Sequence, residues 1–102
     1  PLHPAVLRLM RDVVRVADRH GISVGVCGEM ASDPLMVFAL VGLGLRQLSV
    51  TARSLLPIKQ AVRAMHVSAA EAAVERAIGA RSAPEAERII RDAFTADAGT
   101  AD

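Results

Sequence analysis

The chain has 102 residues, enough for one small domain with a core of its own. Apolar residues make up 52% of it and the formal net charge is +1. This balance excludes a charge-rich disordered segment and gives no electrostatic reason to expect nucleic acid or a charged membrane as partner.

Cys27 is the only cysteine and cannot close an internal disulfide, so a reducing, cytoplasmic setting is the simpler expectation. The N-terminus has no basic stretch followed by an apolar run, so no signal peptide is read there. The longest apolar stretch, residues 35–45, is short and broken by glycine, too little to span a membrane. The first residue is Pro1 rather than methionine, as expected of a piece of a longer chain.

Residues 4–19 read as a helix ended by Gly21, with Val6, Leu9, Met10, Val13 and Ala17 as its apolar face. Arg8, Arg11, Arg15 and Arg19 line another face, read as solvated. Residues 22–26 show little polar alternation, which predicts a parallel strand covered on both faces. Ser32 or Asp33 caps a second helix over residues 34–41, with Pro34 in its first turn and Gly42 or Gly44 at its end. A second short strand is expected at residues 47–50. Ser54 is expected to cap a third helix over residues 55–65.

Ser68-Ala69-Ala70-Glu71 and Ser82-Ala83-Pro84-Glu85 both match the capping box, in which Ser and Glu satisfy exposed amides reciprocally. They predict two further helices, the first stopped by Gly79, the second with Ile89, Ile90, Ala93 and Phe94 as its apolar stripe. Residues 96–102 read as a fraying tail. Strands that alternate with helices argue a parallel sheet. Two short parallel strands leave both outer edges open, a physical reason to expect further strands.

The chemistry concentrates between the first strand and the second helix. Cys27 stands at a strand end, Gly28 permits a tight turn, and Glu29 and Asp33 follow. From composition alone Cys27 reads as a packed thiol, because free cysteine packs as a small hydrophobe. Glu29 reads as a loop residue and Asp33 as a cap. Ser49 and Thr51 lie near the second strand end, where a ligand contact and an ordinary strand role are both open. His3, His20 and His66 lack metal-ligand spacing to one another or to Cys27 and read as surface or structural residues.

Cys27-Gly28-Glu29-Met30-Ala31-Ser32-Asp33 resembles the Cys-Gly-Glu-Leu-Ala-Gly-Asp motif of phosphoenolpyruvate-protein phosphotransferases, the enzymes I of the bacterial sugar phosphotransferase system. The likeness runs along nearly the whole chain. Pro4-Ala5-Val6-Leu7 resembles the start of the helix before the motif strand. Leu43-Gly44-Leu45 through Leu48-Ser49-Val50 resembles the Gly-Leu-Gly-(x)-Ser segment of the last barrel strand. Ser32 departs from the family's usual Gly, and Pro57 sits one place later than its usual proline.

The resemblance implies an α/β fold in which residues 1–95 are the C-terminal part of a (β/α)8 barrel, incomplete as given, since such a barrel needs ~250 residues. It implies that Cys27 is catalytic, protonating the enolate left when phosphoenolpyruvate loses its phosphoryl group. An ordinary thiol, with a pKa near ~8.5, is acid enough for that near neutral pH. It places the Mg²⁺ ligands, the substrate-gripping arginines and the phosphorylated histidine outside this chain, with HPr as the phosphoryl acceptor and a homodimer as the assembly. Two rivals stand beside it. One is a segment of a pyruvate phosphate dikinase or phosphoenolpyruvate synthase, which share the barrel and the cysteine. The other is a non-catalytic module that binds a partner through its open strand edges.

Overall fold

A computed structural model describes residues 2–99. Residues 34–42 carry no charged side chain and are apolar on every side, so a helix made of them has no face to leave in water. That helix, α2 (Pro34–Gly42), is the centre of the molecule, and Leu35 to Val41 are all buried. The Asp33 carboxylate caps it, accepting from the Leu35 N–H at 3.0 Å.

The other elements are arranged around it: α1 (Pro4–Arg19), β1 (Gly25–Cys27), a 3₁₀ turn (Glu29–Ser32), β2 (Gln47–Ser49), α3 (Ala52–Ala64), α4 (Val67–Ile78) and α5 (Ala83–Gly99). Helices α4 and α5 form a hairpin that packs on α2. Ala70, Ala73 and Ala77 are buried on α4, and their small side chains let neighbouring helices come close. The closest crossing is at Gly42, where an added Cβ would lie 2.6 Å from Val74 Cγ2 and against the Ala70 carbonyl. On the α5 side, Phe38 and Phe94 meet edge to face, centroids 5.4 Å apart.

The two strands pair in parallel, Gly25 with Gln47, Val26 with Leu48 and Cys27 with Ser49. They form a two-stranded sheet whose outer edges are both free among the described residues. Val26 and Leu48 pack against the core, whereas Gly25, Cys27, Gln47 and Ser49 are exposed. The expected strand covered on both faces is therefore covered on one, and it starts at Gly25 rather than Ile22, which is 61% exposed. A short strand with no neighbour beyond it has nothing to hold its first residues in a ladder.

Four further expectations are corrected. The buried face of α1 is Pro4, Leu7, Val14 and Ala17, while Val6, Leu9 and Val13 face outward. Both stripes have helical spacing, so periodicity alone could not choose between them. Helix α3 starts after Thr51, not Ser54: the Ser54 N–H donates to the Thr51 carbonyl at 3.0 Å, so Ser54 lies within the opening turn, and the two hydroxyls meet at 3.2 Å. Helix α4 begins after His66, so Ser68 lies inside it and its capping box does not form. The row of arginines on α1 is not wholly solvated: Arg8 donates to the Ile78 carbonyl at 3.4 Å and Arg11 lies 3.6 Å from Glu75.

Asp97 explains the start of α4. It is buried on α5, and its carboxylate accepts from the His66 backbone N–H at 3.0 Å and lies 2.7 Å from His66 Nδ1. The amide of His66, the residue that caps α4, thus has a partner from another helix. The tail expected from residue 96 is helical as far as Gly99, and residues 100–102 lie outside the described residues. The second capping box does form in half: Ser82 Oγ accepts from the Glu85 N–H at 3.2 Å, while Glu85 reaches the Arg81 N–H at 2.7 Å. No helix among the described residues is long and apolar enough to cross a membrane.

Candidate functional site

Cys27 is the last residue of β1, and its thiol is free and exposed. Strand alternation decides this: Val26 turns to the helices, so its neighbours turn away from them. The chain then has to reverse within one residue to start the 3₁₀ turn at Glu29. Gly28 does so at φ +92, a region that side chains strongly disfavour. The thiol therefore stands at the carboxyl end of a parallel strand, on the sheet face that nothing in the described chain covers. In parallel α/β sheets the carboxyl ends of the strands are where ligands are bound.

The register sets a second side chain beside it. Ser49 is paired with Cys27, ends β2 as Cys27 ends β1, and is exposed on the same side. One step back, Gln47 lies over Gly25, whose missing side chain makes room: a Cβ there would be 3.3 Å from the Gln47 Cβ. The bare face thus carries a thiol, a hydroxyl and an amide, with no charged group on either strand.

Other candidates are placed elsewhere. Glu29 opens the 3₁₀ turn and lines a cleft of about 400 Å³ between that turn and α5, together with Asp33, Glu87 and Arg91. Asp33 is the cap of α2, and Thr51 the residue before α3. His3 caps α1, its Nδ1 accepting from the Ala5 N–H at 3.1 Å, and His20 follows the end of the same helix. His66 belongs to the Asp97 pair. Among the described residues no group of three His, Cys, Asp or Glu side chains is placed to hold a metal ion.

An apolar concavity of about 390 Å³ lies away from the thiol. It lies on the outer side of β2, between Leu48 and Val50 and the α3 residues Leu55, Ile58 and Val62. A cavity between a free strand edge and a helix is what remains when a sheet ends there, so an apolar lining alone is a poor guide to the chemistry. Two features escaped the sequence reading. The pairing of Cys27 with Ser49 depends on register, which no local pattern carries. The role of Asp97 was hidden because it sits in a run of small residues that looks like a tail.

These observations define an α/β unit with two parallel strands that presents a thiol at their carboxyl ends. Residues 1–67 match the family described as PEP-utilising enzyme, PEP-binding domain, and the chain belongs to that family. It is 42% identical over 91 residues, 89% of its length, to a protein of Cupriavidus necator named phosphoenolpyruvate-protein phosphotransferase, of which it covers 16%. A protein of Escherichia coli named phosphoenolpyruvate-dependent phosphotransferase system is 43% identical over 82% of this chain, which covers 11% of it. The phosphoenolpyruvate-protein phosphotransferase of Bacillus subtilis is 34% identical over 92% of the chain, again 16% of that protein. The chain thus spans about a sixth or less of the length of these relatives.

Proposed function

We propose that the chain forms the last two strand–helix units of a (β/α)8 barrel, with α4 and α5 behind them. The whole protein then moves the phosphoryl group of phosphoenolpyruvate to one of its own histidines and on to HPr. The observation that carries this reading is the place of Cys27: an exposed thiol at the carboxyl end of a parallel strand, in a chain of the PEP-binding family. The two free sheet edges and the bare sheet face favour a barrel, because further strands would close both. The names of the relatives favour a phosphotransferase over a dikinase.

In this reading the bond from phosphorus to the enol oxygen breaks and its electron pair stays on oxygen. The methylene carbon of the enolate then forms a C–H bond with the proton of Cys27. The S–H electron pair remains on sulfur, and solvent returns a proton to the thiolate. The resemblance places the accepting histidine in another part of the protein. The Mg²⁺ implied by the resemblance would be held by acidic residues outside this chain. A homodimeric, cytoplasmic enzyme goes with the same reading, and the segment alone is expected to be inactive.

The test is pyruvate release from phosphoenolpyruvate by the full-length protein that carries this segment, with Mg²⁺ and HPr. Cys27→Ala is expected to lower turnover by about 10²- to 10⁴-fold, the usual worth of a positioned proton donor. Wild-type turnover in Cys27→Ala would remove Cys27 from the chemistry. Phosphorylation of the isolated segment by phosphoenolpyruvate would overturn its expected inactivity.

A further inference from the structure

Cys27 and Ser49 are in-register neighbours on adjacent parallel strands, and both face the uncovered side of the sheet. Partners in such a ladder lie about 4.8 Å apart backbone to backbone, with their side chains leaning the same way. A hydroxyl one strand over from a thiol is therefore within reach of its sulfur after an ordinary χ1 rotation. The nearby Thr51 hydroxyl is engaged with Ser54 at the opening of α3. Val26 packs on the helical core, and the elements that flank β1 most closely are β2 and the 3₁₀ turn. Of their residues only Glu29 is ionisable; β2 contributes Gln47, Leu48 and Ser49, all uncharged. When the thiol gives up its proton, the new negative charge thus meets no cation from these elements. Within these elements the neutral donor that the register sets beside it is the Ser49 hydroxyl.

We infer that Ser49 is a positioning residue for Cys27, its hydroxyl holding the sulfur toward the open sheet face and donating a hydrogen bond to the thiolate formed there. The inference rests on the reading of Cys27 as the proton donor. The proton passes from sulfur to carbon as described above. Ser49 keeps its own proton and only turns its O–H toward the sulfur. A hydrogen bond to the charged form favours that form. Losing it would make the thiol a weaker acid and slow the transfer.

Two readouts test this in the full-length protein, one of which needs no turnover. The first is the pH dependence of alkylation of Cys27 by iodoacetamide, followed on the Cys27 peptide by mass spectrometry, since the thiolate is the reacting species. The second is kcat and KM for pyruvate release from phosphoenolpyruvate. Ser49→Ala is expected to move the alkylation profile to higher pH and to lower kcat roughly tenfold with KM unchanged, the scale of one hydrogen bond to a charged group. Ser49→Thr keeps the hydroxyl and is expected to restore both.

A wild-type alkylation profile and wild-type kcat in Ser49→Ala, with Cys27→Ala impaired, would overturn the role of Ser49 while leaving that of Cys27. Wild-type turnover in Cys27→Ala would instead overturn the proton-donor reading. The alkylation profile would then still decide whether the hydroxyl contacts the sulfur. Equal losses in Ser49→Ala and Ser49→Thr would point to packing and would also overturn the inference.

Discussion

The helical side and the sheet side of this molecule are built to different standards. On the helical side, α2 is wrapped by α4 and α5, and Phe38, Val37, Leu40 and Ile90 are almost wholly withdrawn from solvent. On the sheet side, each strand has three residues, both edges are free, and one face is open. Large apolar side chains remain outside there and on the adjoining helices: Leu9 is 64% exposed, Leu56 65% and Ile22 61%. The helical side is a finished core that holds the sheet in place. The sheet side presents the polar row Cys27, Ser49 and Gln47. The packed core and the exposed polar row thus lie on opposite sides of the same small unit.

The largest test of this contrast is Phe38→Ala. It removes the fully buried ring that meets Phe94, and it should cost about 3–5 kcal/mol, read as a drop in the urea midpoint. A cost below about 1 kcal/mol would mean that the helical core is looser than the packing implies.

Gly42→Ala comes next and turns on sign. In an open helix that change stabilises by roughly 1 kcal/mol. Here the new Cβ meets the Ala70 backbone and Val74, so destabilisation of about 1–3 kcal/mol is expected by the same measurement.

Asp97→Ala should cost about 1–3 kcal/mol by leaving the His66 amide without its partner. Faster hydrogen exchange at the start of α4 would locate the loss.

The smallest effects belong to apolar side chains left outside on α1 and α3. Leu9→Ser and Leu56→Ser should change the stability of this chain by no more than about 0.5 kcal/mol, since neither side chain is buried. In the full-length protein, if the barrel reading holds, the same substitutions should cost roughly 1.5–3 kcal/mol, the worth of a buried leucine. Equal effects in both settings would mean that no further chain covers those side chains.

Much of the order of elements was legible without coordinates, for identifiable reasons. Helix α1 has the expected bounds because its length, Pro4 and Gly21 leave little choice. Helix α2 starts where Asp33 and Pro34 place it. Where two solutions had the same period, as with the Leu7 and Val6 stripes of α1, the choice needed the partner helix α4, which lies far along the chain. The start of α4 was misread for a similar reason. Ser68 and Glu71 make a good local cap, but Asp97, about thirty residues later, supplies a partner two residues earlier, at His66.

At the site, the local sequence was enough to mark Cys27 and the turn at Gly28, because a thiol, a glycine and a helix start follow one another within seven residues. It could not mark Ser49 as the neighbour of Cys27. That depends on parallel pairing across the whole of α2, and a slip of one residue would have turned Ser49 to the other face. The sequence by itself determined the helices whose ends are written in proline, glycine and capping side chains, and the place of the thiol at a strand end. Only the tertiary structure decided which apolar stripe is buried, where α3 and α4 begin, and which hydroxyl stands beside the sulfur. Except for the start of α3, which is set within one turn, each of those depends on a partner distant in the chain, and no short-range pattern encodes which distant partner a residue will meet.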